Sequence, residues 1–304
     1  MFSYCLITDR NYINSTICLT NKIVRKNINI LCLDDYTENF LNLNFKNIST
    51  YNIKNLETKY NLHNIRSNRD WRSYVFTLKS IFLSYLMDKI RKNQYLIYLD
   101  SDLYLFSEIE KFEQNITESS VHITPHNFDK NNIHRNIYGN FNAGLLVFKK
   151  DYDGLKVLEW WKKKCSESCS LIVSENIYAD QKYLNNFHLI SDNIKVLNNP
   201  GINAAPWNLN NYECKIQNKK IYLDNHELLI YHFHSFKNIF GYYYKMGLKE
   251  YNVGFDNFSN FIYSSYSKDL KFNFNKFNNE NFKNKINFYE ILKSFLKRDI
   301  KKLN

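Results

Sequence analysis

Two carboxylates one residue apart, Asp100 and Asp102, stand where an apolar run, Tyr95-Leu96-Ile97-Tyr98-Leu99, gives out. On extended backbone, side chains at i and i+2 point to the same side, so the two acids share a face at the end of a buried strand. Like charges placed this way repel unless a cation lies between them. A hard divalent ion with oxygen ligands, Mn²⁺ or Mg²⁺, suits them and can also hold a diphosphate. A bare Asp-x-Asp is common, but a solvated turn needs neither the apolar run before it nor Leu103-Tyr104-Leu105 after it. A second pattern, Ile230-Tyr231-His232-Phe233-His234-Ser235-Phe236-Lys237, puts both histidines on one face of an extended segment and the aromatics on the other. Two histidines followed by Lys237 read as a metal ligand beside an anion-binding cation; a satisfied polar patch is the alternative.

Further segments carry weaker signals. Asn142-Ala143-Gly144 opens the apolar run Leu145–Phe148. That composition allows a close backbone approach and offers a short amide for hydroxyls, or simply turns into a strand. Asp180 and Gln181 begin a stretch predicted helical, 179–187, where Asp180 also suits an N-cap. Pro200-Gly201 and Ala205-Pro206-Trp207-Asn208 concentrate two of the three prolines in one loop that must adopt a defined shape.

These residues need a frame. Residues 2–8 and 28–33 are short apolar runs ending on Thr8-Asp9 and Asp34-Asp35, with a helix-sized stretch, 14–26, between them. That is the rhythm of a parallel α/β sheet, whose ligands gather at the carboxyl ends of strands. Apolar residues from Trp71 to Leu86 recur at threes and fours, predicting a helix over 70–92. Strands are predicted at 95–99, 121–124, 143–148, 194–197 and 228–233, and a helix at 153–165. After about residue 255 the texture turns to Asn, Lys and Phe. There Ile286, Tyr289, Ile291, Leu292, Phe295, Leu296, Ile300 and Leu303 lie opposite Lys293, Lys297, Arg298, Lys301 and Lys302, predicting one amphipathic helix. Such a helix packs on its own domain or lies on a membrane surface. The division expected is a catalytic domain over 1–255 and a basic, aromatic-rich helical extension over 256–304.

Hydrophobic residues at 44% and aromatics at 17% exclude wholesale disorder. The formal charge of +11 fits anionic partners, whether nucleic acid, membrane or phosphate-bearing substrates, and equally fits lysine-rich solvated faces. Six cysteines are too few for a disulfide framework and are expected as free thiols; Cys165 and Cys169 lack Cys-x-x-Cys spacing. No apolar run approaches the roughly 20 residues needed to span a bilayer, and no secretory leader is read at the start, so a cytoplasmic protein is expected.

Taken in order, the segments around Asp100–Asp102, Asn142–Phe148, Asp180–Asn185, Asn203–Leu209 and Ile230–Lys237 resemble retaining glycosyltransferases of family eight, among them glycogenin and bacterial galactosyltransferases. The likeness covers roughly residues 2–240. It implies a nucleotide-diphospho-sugar transferase fold of the A type, a Rossmann-like, mixed, mostly parallel sheet flanked by helices. It also implies Mn²⁺ and a nucleotide-diphosphate sugar, a UDP-sugar by preference. In that family Asp100 and Asp102 match the metal-holding pair, with Ser101 among the donor contacts. His232 matches the metal-binding histidine; because Ser235 replaces the usual glycine, His234 remains a second candidate. Lys237 stands where a displaced lysine would hold the diphosphate. Asn142 and Ala143 match donor-sugar contacts, Asp180 and Gln181 the pair beside the anomeric carbon, Lys79 a helix lysine near the donor, and Thr8 and Asp9 the first-strand end that meets the nucleotide. A narrower resemblance is to bacterial glycosyltransferase-like proteins with Thr124-Pro125-His126, Trp160-Trp161 and Ala205–Leu209.

The reaction so implied is sugar transfer to a glycan or glycolipid acceptor in bacterial surface-polysaccharide assembly, at the inner membrane face. Retention is expected; inversion would need a carboxylate base, a part open to Asp180. A sugar-nucleotide pyrophosphorylase needs a glycine-rich loop after the first strand, and this chain has no glycine before Gly139. A nucleic-acid-binding module does not account for paired carboxylates at a strand end, so nucleic acid is not an expected partner. An inactive member of the fold is the remaining alternative.

Overall fold

The computed structural model describes residues 1–23, 26–277 and 288–303. Its strands begin with β1 (Phe2–Thr8), β2 (Asn27–Cys32), β3 (Ile48–Asn52), β4 (Tyr95–Leu99), β5 (Leu103–Leu105), β6 (Val121–Pro125), β7 (Phe141–Lys149) and β8 (Ile194–Val196). All but β5 join one seven-stranded sheet in the order β3-β2-β1-β4-β7-β6-β8. Neighbours run parallel except at β7, which is antiparallel to both β4 and β6. This is the mixed, mostly parallel sheet expected. Helices α1 (Ile13–Lys22), α2 (Asp35–Asn44), α3 (Ile53–Tyr60), α4 (His63–Ser67), α5 (Trp71–Lys89), α6 (Ile109–Glu113) and α7 (Tyr152–Glu167) flank it.

The central strands are apolar on both faces because both faces are covered. From β4, Leu96 and Tyr98 enter a core with Leu78 and Phe82 of α5 and Trp161 of α7; Ile97 and Leu99 enter the opposite core with Ile13 and Ile17 of α1. Asp70 caps α5 by accepting from the Ser73 amide.

A third core lies beyond the sheet's carboxyl edge. It draws on β9 (Cys214–Gln217), β10 (Lys220–Leu223), β12 (Ile230–His232), β14 (Tyr243–Lys245) and α8 (Asn257–Phe277); β11 (His226–Glu227), β13 (Lys237–Phe240), α9 (Phe288–Leu296) and β15 (Ile300–Lys302) are the other elements of this region. Tyr231 and Phe233 pack there with Tyr263 and Tyr266 of α8 and with Leu303, so residues on both sides of position 255 share one interior.

Three elements differ from expectation. The helix predicted at 179–187 is a 3₁₀ turn, Lys182–Leu189, entered through Ala179 in the left-handed region at φ 49°. The stretch read as helical over 14–26 stops at Lys22, and positions 24–25 lie outside the described residues. The amphipathic helix drawn from Ile286 ends at Leu296; Ile286 itself lies outside the described residues. Arg298 at φ 55° turns the chain, and Ile300–Lys302 then satisfies its backbone by pairing with β14 instead of continuing the helix. All six cysteines are free thiols.

Candidate metal centre

The antiparallel course of β7 builds the site. Because β7 runs against the sheet, its first residues lie at the carboxyl end of β4, with Leu99 opposite Leu145 and the Asp100 amide donating to the Gly144 carbonyl at 2.8 Å. A turn then leads to β5, which pairs with β12 so that Leu103 faces His232, and the Phe233 amide donates to the Asp102 carbonyl at 2.9 Å. Segments far apart in sequence thereby meet on one rim.

Asp102, His232 and His234 each offer a ligand atom, all within 4.8 Å of one another. The regular strand ends at His232, yet alternation persists through His234, while Tyr231 and Phe233 face the third core. Asp102 Oδ1 lies 3.0 Å from His232 Nε2. His232 Nδ1 is buried with no hydrogen-bond partner. Trp207, from the proline-rich loop, sets its edge against His232 and His234 at ring separations of 5.1 and 5.7 Å. Asn208 shapes that loop by accepting from the Ala205 amide at 2.9 Å and donating to the His126 carbonyl at 3.1 Å.

The electrostatics of the cluster are uneven. Burial opposes charge on His232, but the adjoining Asp102 carboxylate outweighs it and holds the imidazole above its ordinary value. Burial likewise opposes the Asp102 carboxylate, and His232 overcomes it, bringing Asp102 down to about 2. Burial and the charge on His232 press His234 down to about 4, leaving it a neutral, ligand-ready imidazole at neutral pH.

Gly144 is the floor. A Cβ there would stand 2.7 Å from Asn142 Oδ1, 2.7 Å from His232 Cε1 and 2.9 Å from Asp100 Oδ2. Asp100 therefore flanks the His232 ring, while the three ligand atoms that converge are those of Asp102 and the two histidines.

Behind Asp100 lies a buried ion cluster. Lys79 Nζ sits 3.0 Å from Asp180 Oδ2, 3.3 Å from Asp100 Oδ1 and 3.0 Å from the Ala143 carbonyl. Burial lowers the affinity of Lys79 for its proton, but the two carboxylates overcome it and raise its pKa. Asp180 is also raised, since burial and the Asp100 charge outweigh Lys79. Two carboxylates share one ammonium, and Asp180, the more buried, bears the deficit. Asp180 is not an N-cap: its side chain meets Lys79, and its backbone carbonyl accepts from Trp161 Nε1 at 2.8 Å.

The other predicted residues are more spread out. Gln181 Oε1 accepts from Asn142 Nδ2 at 3.3 Å and from the Ala143 amide at 3.4 Å. Ser101 occupies the turn between β4 and β5. Thr8 is buried at the end of β1 and shares a hydrogen bond with Thr16 at 2.7 Å, while Asp9 Oδ1 accepts from the Asn11 and Tyr12 amides. Lys237 lies half-buried at the start of β13, opposite Lys245. Tyr98, not singled out from sequence, donates to Asp100 Oδ1 at 2.8 Å; its i, i+2 relation to Asp100 was the available signal. Asp299 also reaches the site's surroundings, accepting from the Gly247 and Lys249 amides at 3.0 and 3.1 Å, and Gly247 packs against the His234 carbonyl.

No family model matches the chain. It is 27% identical over 248 residues to the uncharacterized protein YfnF of Bacillus subtilis (strain 168), covering 77% of this chain and 82% of that one. To the uncharacterized protein YfnD of the same organism it is 27% identical over 212 residues, 68% of each chain. Among solved structures it is similar in fold to the galactosyltransferase LgtC in complex with donor and acceptor sugar analogs, at 17% identity, 68% of this chain, 76% of that chain and a TM-score of 0.43.

Proposed function

We propose that the chain is a metal-dependent glycosyltransferase, moving a sugar from a nucleotide-diphosphate donor, a UDP-sugar by preference, to a glycan or glycolipid acceptor with retention. The observation that carries this reading is the convergence of Asp102, His232 and His234 beside Asp100 at the carboxyl end of β4. Ligands of open α/β sheets bind at that end. One carboxylate oxygen and two imidazole nitrogens suit Mn²⁺, a transition ion that takes imidazole beside carboxylate, better than Mg²⁺, which prefers oxygen alone. When bound, the ion would offset the negative charge that develops on the diphosphate as the anomeric C–O bond breaks.

The chain's own residues take the remaining parts in this proposal. Thr8, Asp9 and Ser101 contact the nucleotide, and Asn142 and Ala143 the sugar. Lys237 steadies the diphosphate. Asp180 and Gln181 lie beside the anomeric carbon, with Lys79 holding Asp180 and Asp100 in register. A retaining course asks for no strong base, because the departing phosphate takes the acceptor's proton; the pairing of Asp180 with Lys79 supports an electrostatic part for it over a base.

The proposed setting is surface-polysaccharide assembly at the cytoplasmic face of a bacterial inner membrane, with residues 1–255 catalytic and 256–304 the basic extension. No helix among the described residues is long and apolar enough to cross a membrane. Support for a membrane surface comes from Phe240, Tyr242, Phe295 and Leu296, all exposed among lysines.

The test is donor hydrolysis by purified protein across a panel of nucleotide sugars, with Mn²⁺ or EDTA. Slow nucleotide release that requires metal and is at least about a hundredfold weaker in Asp102→Ala is expected. Silence toward every donor, together with no metal-dependent nucleotide binding by calorimetry, would sink the transferase and leave an inactive fold.

A further inference from the structure

His126 follows Pro125 at the end of β6, where the pairing with β7 jumps register: Ile123 faces Leu146, and the next residue, Thr124, faces Asn142. Bulges of this kind re-aim side chains near functional sites. Here the extra residues of β7 are Ala143, Gly144 and Leu145, of which Gly144 is bonded to Asp100. The bulge leaves His126 and Asn142 side by side, both buried. The imidazole is stacked on Phe128 at 4.6 Å and meets the edge of Trp207 at 5.4 Å.

Hydrogen-bond directions in this corner follow from two backbone carbonyls. His126 Nδ1 lies 2.9 Å from the Gly139 carbonyl, which only accepts, so Nδ1 carries the proton. Burial presses the His126 pKa down to about 3, so the ring is neutral and Nε2 is a bare acceptor. Gln181 Nε2 donates to the Tyr138 carbonyl at 3.1 Å, which turns Gln181 Oε1 inward. Asn142 Nδ2 thus meets two acceptors, His126 Nε2 at 3.4 Å and Gln181 Oε1 at 3.3 Å. A flipped amide would set oxygen against both. Asn142 Oδ1 is left facing the Gly144 amide at 3.0 Å, gathered over Gly144 with Asp100 Oδ2 and His232 Cε1.

We infer that His126 is a positioning residue that locks the Asn142 amide with its oxygen toward the metal centre, so that the site reads the donor sugar through a hydroxyl that donates to Asn142. The inference rests on the donor reading proposed above. It assigns work to the Thr-Pro-His segment, and it separates recognition of the sugar from recognition of the nucleotide. A site built to bond one hydroxyl rejects a sugar that lacks it, because a buried polar group is then left without a partner.

The experiment is calorimetry on the full chain with Mn²⁺, using UDP and a panel of UDP-hexoses as probes. His126→Phe keeps a ring against Phe128 but removes both ring nitrogens. His126→Asn retains a donor toward Gly139 and withdraws the acceptor from Asn142. His126→Gln returns an acceptor near the Nε2 position. In His126→Phe and His126→Asn, UDP affinity is expected within about twofold of wild type, while affinity for the preferred UDP-hexose falls about tenfold. In His126→Gln most of that loss is expected to be recovered. Equal weakening of UDP and UDP-hexose, or no change in either, overturns the inference while leaving the transferase reading intact. Wild-type protein that binds none of the probes overturns the UDP-sugar reading and this inference with it, while the wider donor panel decides the transferase. The tautomer can be read independently in wild type by ¹⁵N shifts of labelled histidine: a protonated Nδ1 on His126 is expected, and a protonated Nε2 overturns the assignment without any variant.

Discussion

At the scale of single residues, the site depends on one missing side chain. A methyl group on Gly144 would sit 2.7 Å from both Asn142 Oδ1 and His232 Cε1, closer than real carbon contacts come. Gly144→Ala is therefore expected to fold, to lose about 1–3 kcal/mol of stability, and to bind Mn²⁺ at least about tenfold more weakly as His232 is displaced. Thermal melting and metal titration together check this; unaltered Mn²⁺ affinity would contradict the packing of His232 over Gly144. The pairs Asp100/Asp102 and His232/His234 were legible in the sequence because spacing alone puts each on one face. Their union was not, because it depends on β5 finding β12 across more than a hundred residues. The partner of Asp180 was hidden for the same reason: Lys79 and Asp180 meet only through the packing of α5 against β4 and the 3₁₀ turn.

At the scale of elements, long periodic segments read well. β1, β4 and α5 stand within a few residues of expectation, since each carries enough apolar repeat to declare its period. The three-residue strands β5 and β14 carry no period, and their partners alone make them strands. At the far end, sequence favoured one long helix, but the free edge of β14 takes Ile300–Lys302. The shortened α9 leaves Leu292, Phe295 and Leu296 exposed, and the β13–β14 turn exposes Phe240, Tyr242 and Tyr243. If these form the membrane-facing surface, Leu292→Ser with Phe295→Ser and Leu296→Ser should reduce co-sedimentation with anionic vesicles severalfold, while hydrolysis of a soluble donor stays unchanged. Binding that is indifferent to these changes and to salt would remove the membrane from the proposal.

At the scale of the whole molecule, acid should unfold this protein early. His122 and His126 are buried and neutral, pressed by burial to about 4 and about 3. Unfolded, each would take its proton near pH 6.5, so the unfolded state binds more protons and stability falls as pH drops below that value. The slope reaches up to about 1.4 kcal/mol per pH unit for each group. Melting temperature is expected to fall steadily from about pH 6 towards pH 4; a flat profile through that window would mean these rings are not held neutral. Composition and charge bounded the class of the chain, but they did not disclose that residues beyond 255 share a core with Tyr231 and Phe233. The Asp299 carboxylate fastens Gly247 and Lys249 from the far end of the sequence, and Gly247 in turn backs His234. That tie sets an order of events during translation. The sheet and its acidic rim can assemble while the ribosome is still working, but the support behind His234 waits for Asp299 to emerge, so a nascent or prematurely stopped chain carries the carboxylates before the loop behind His234 is fastened.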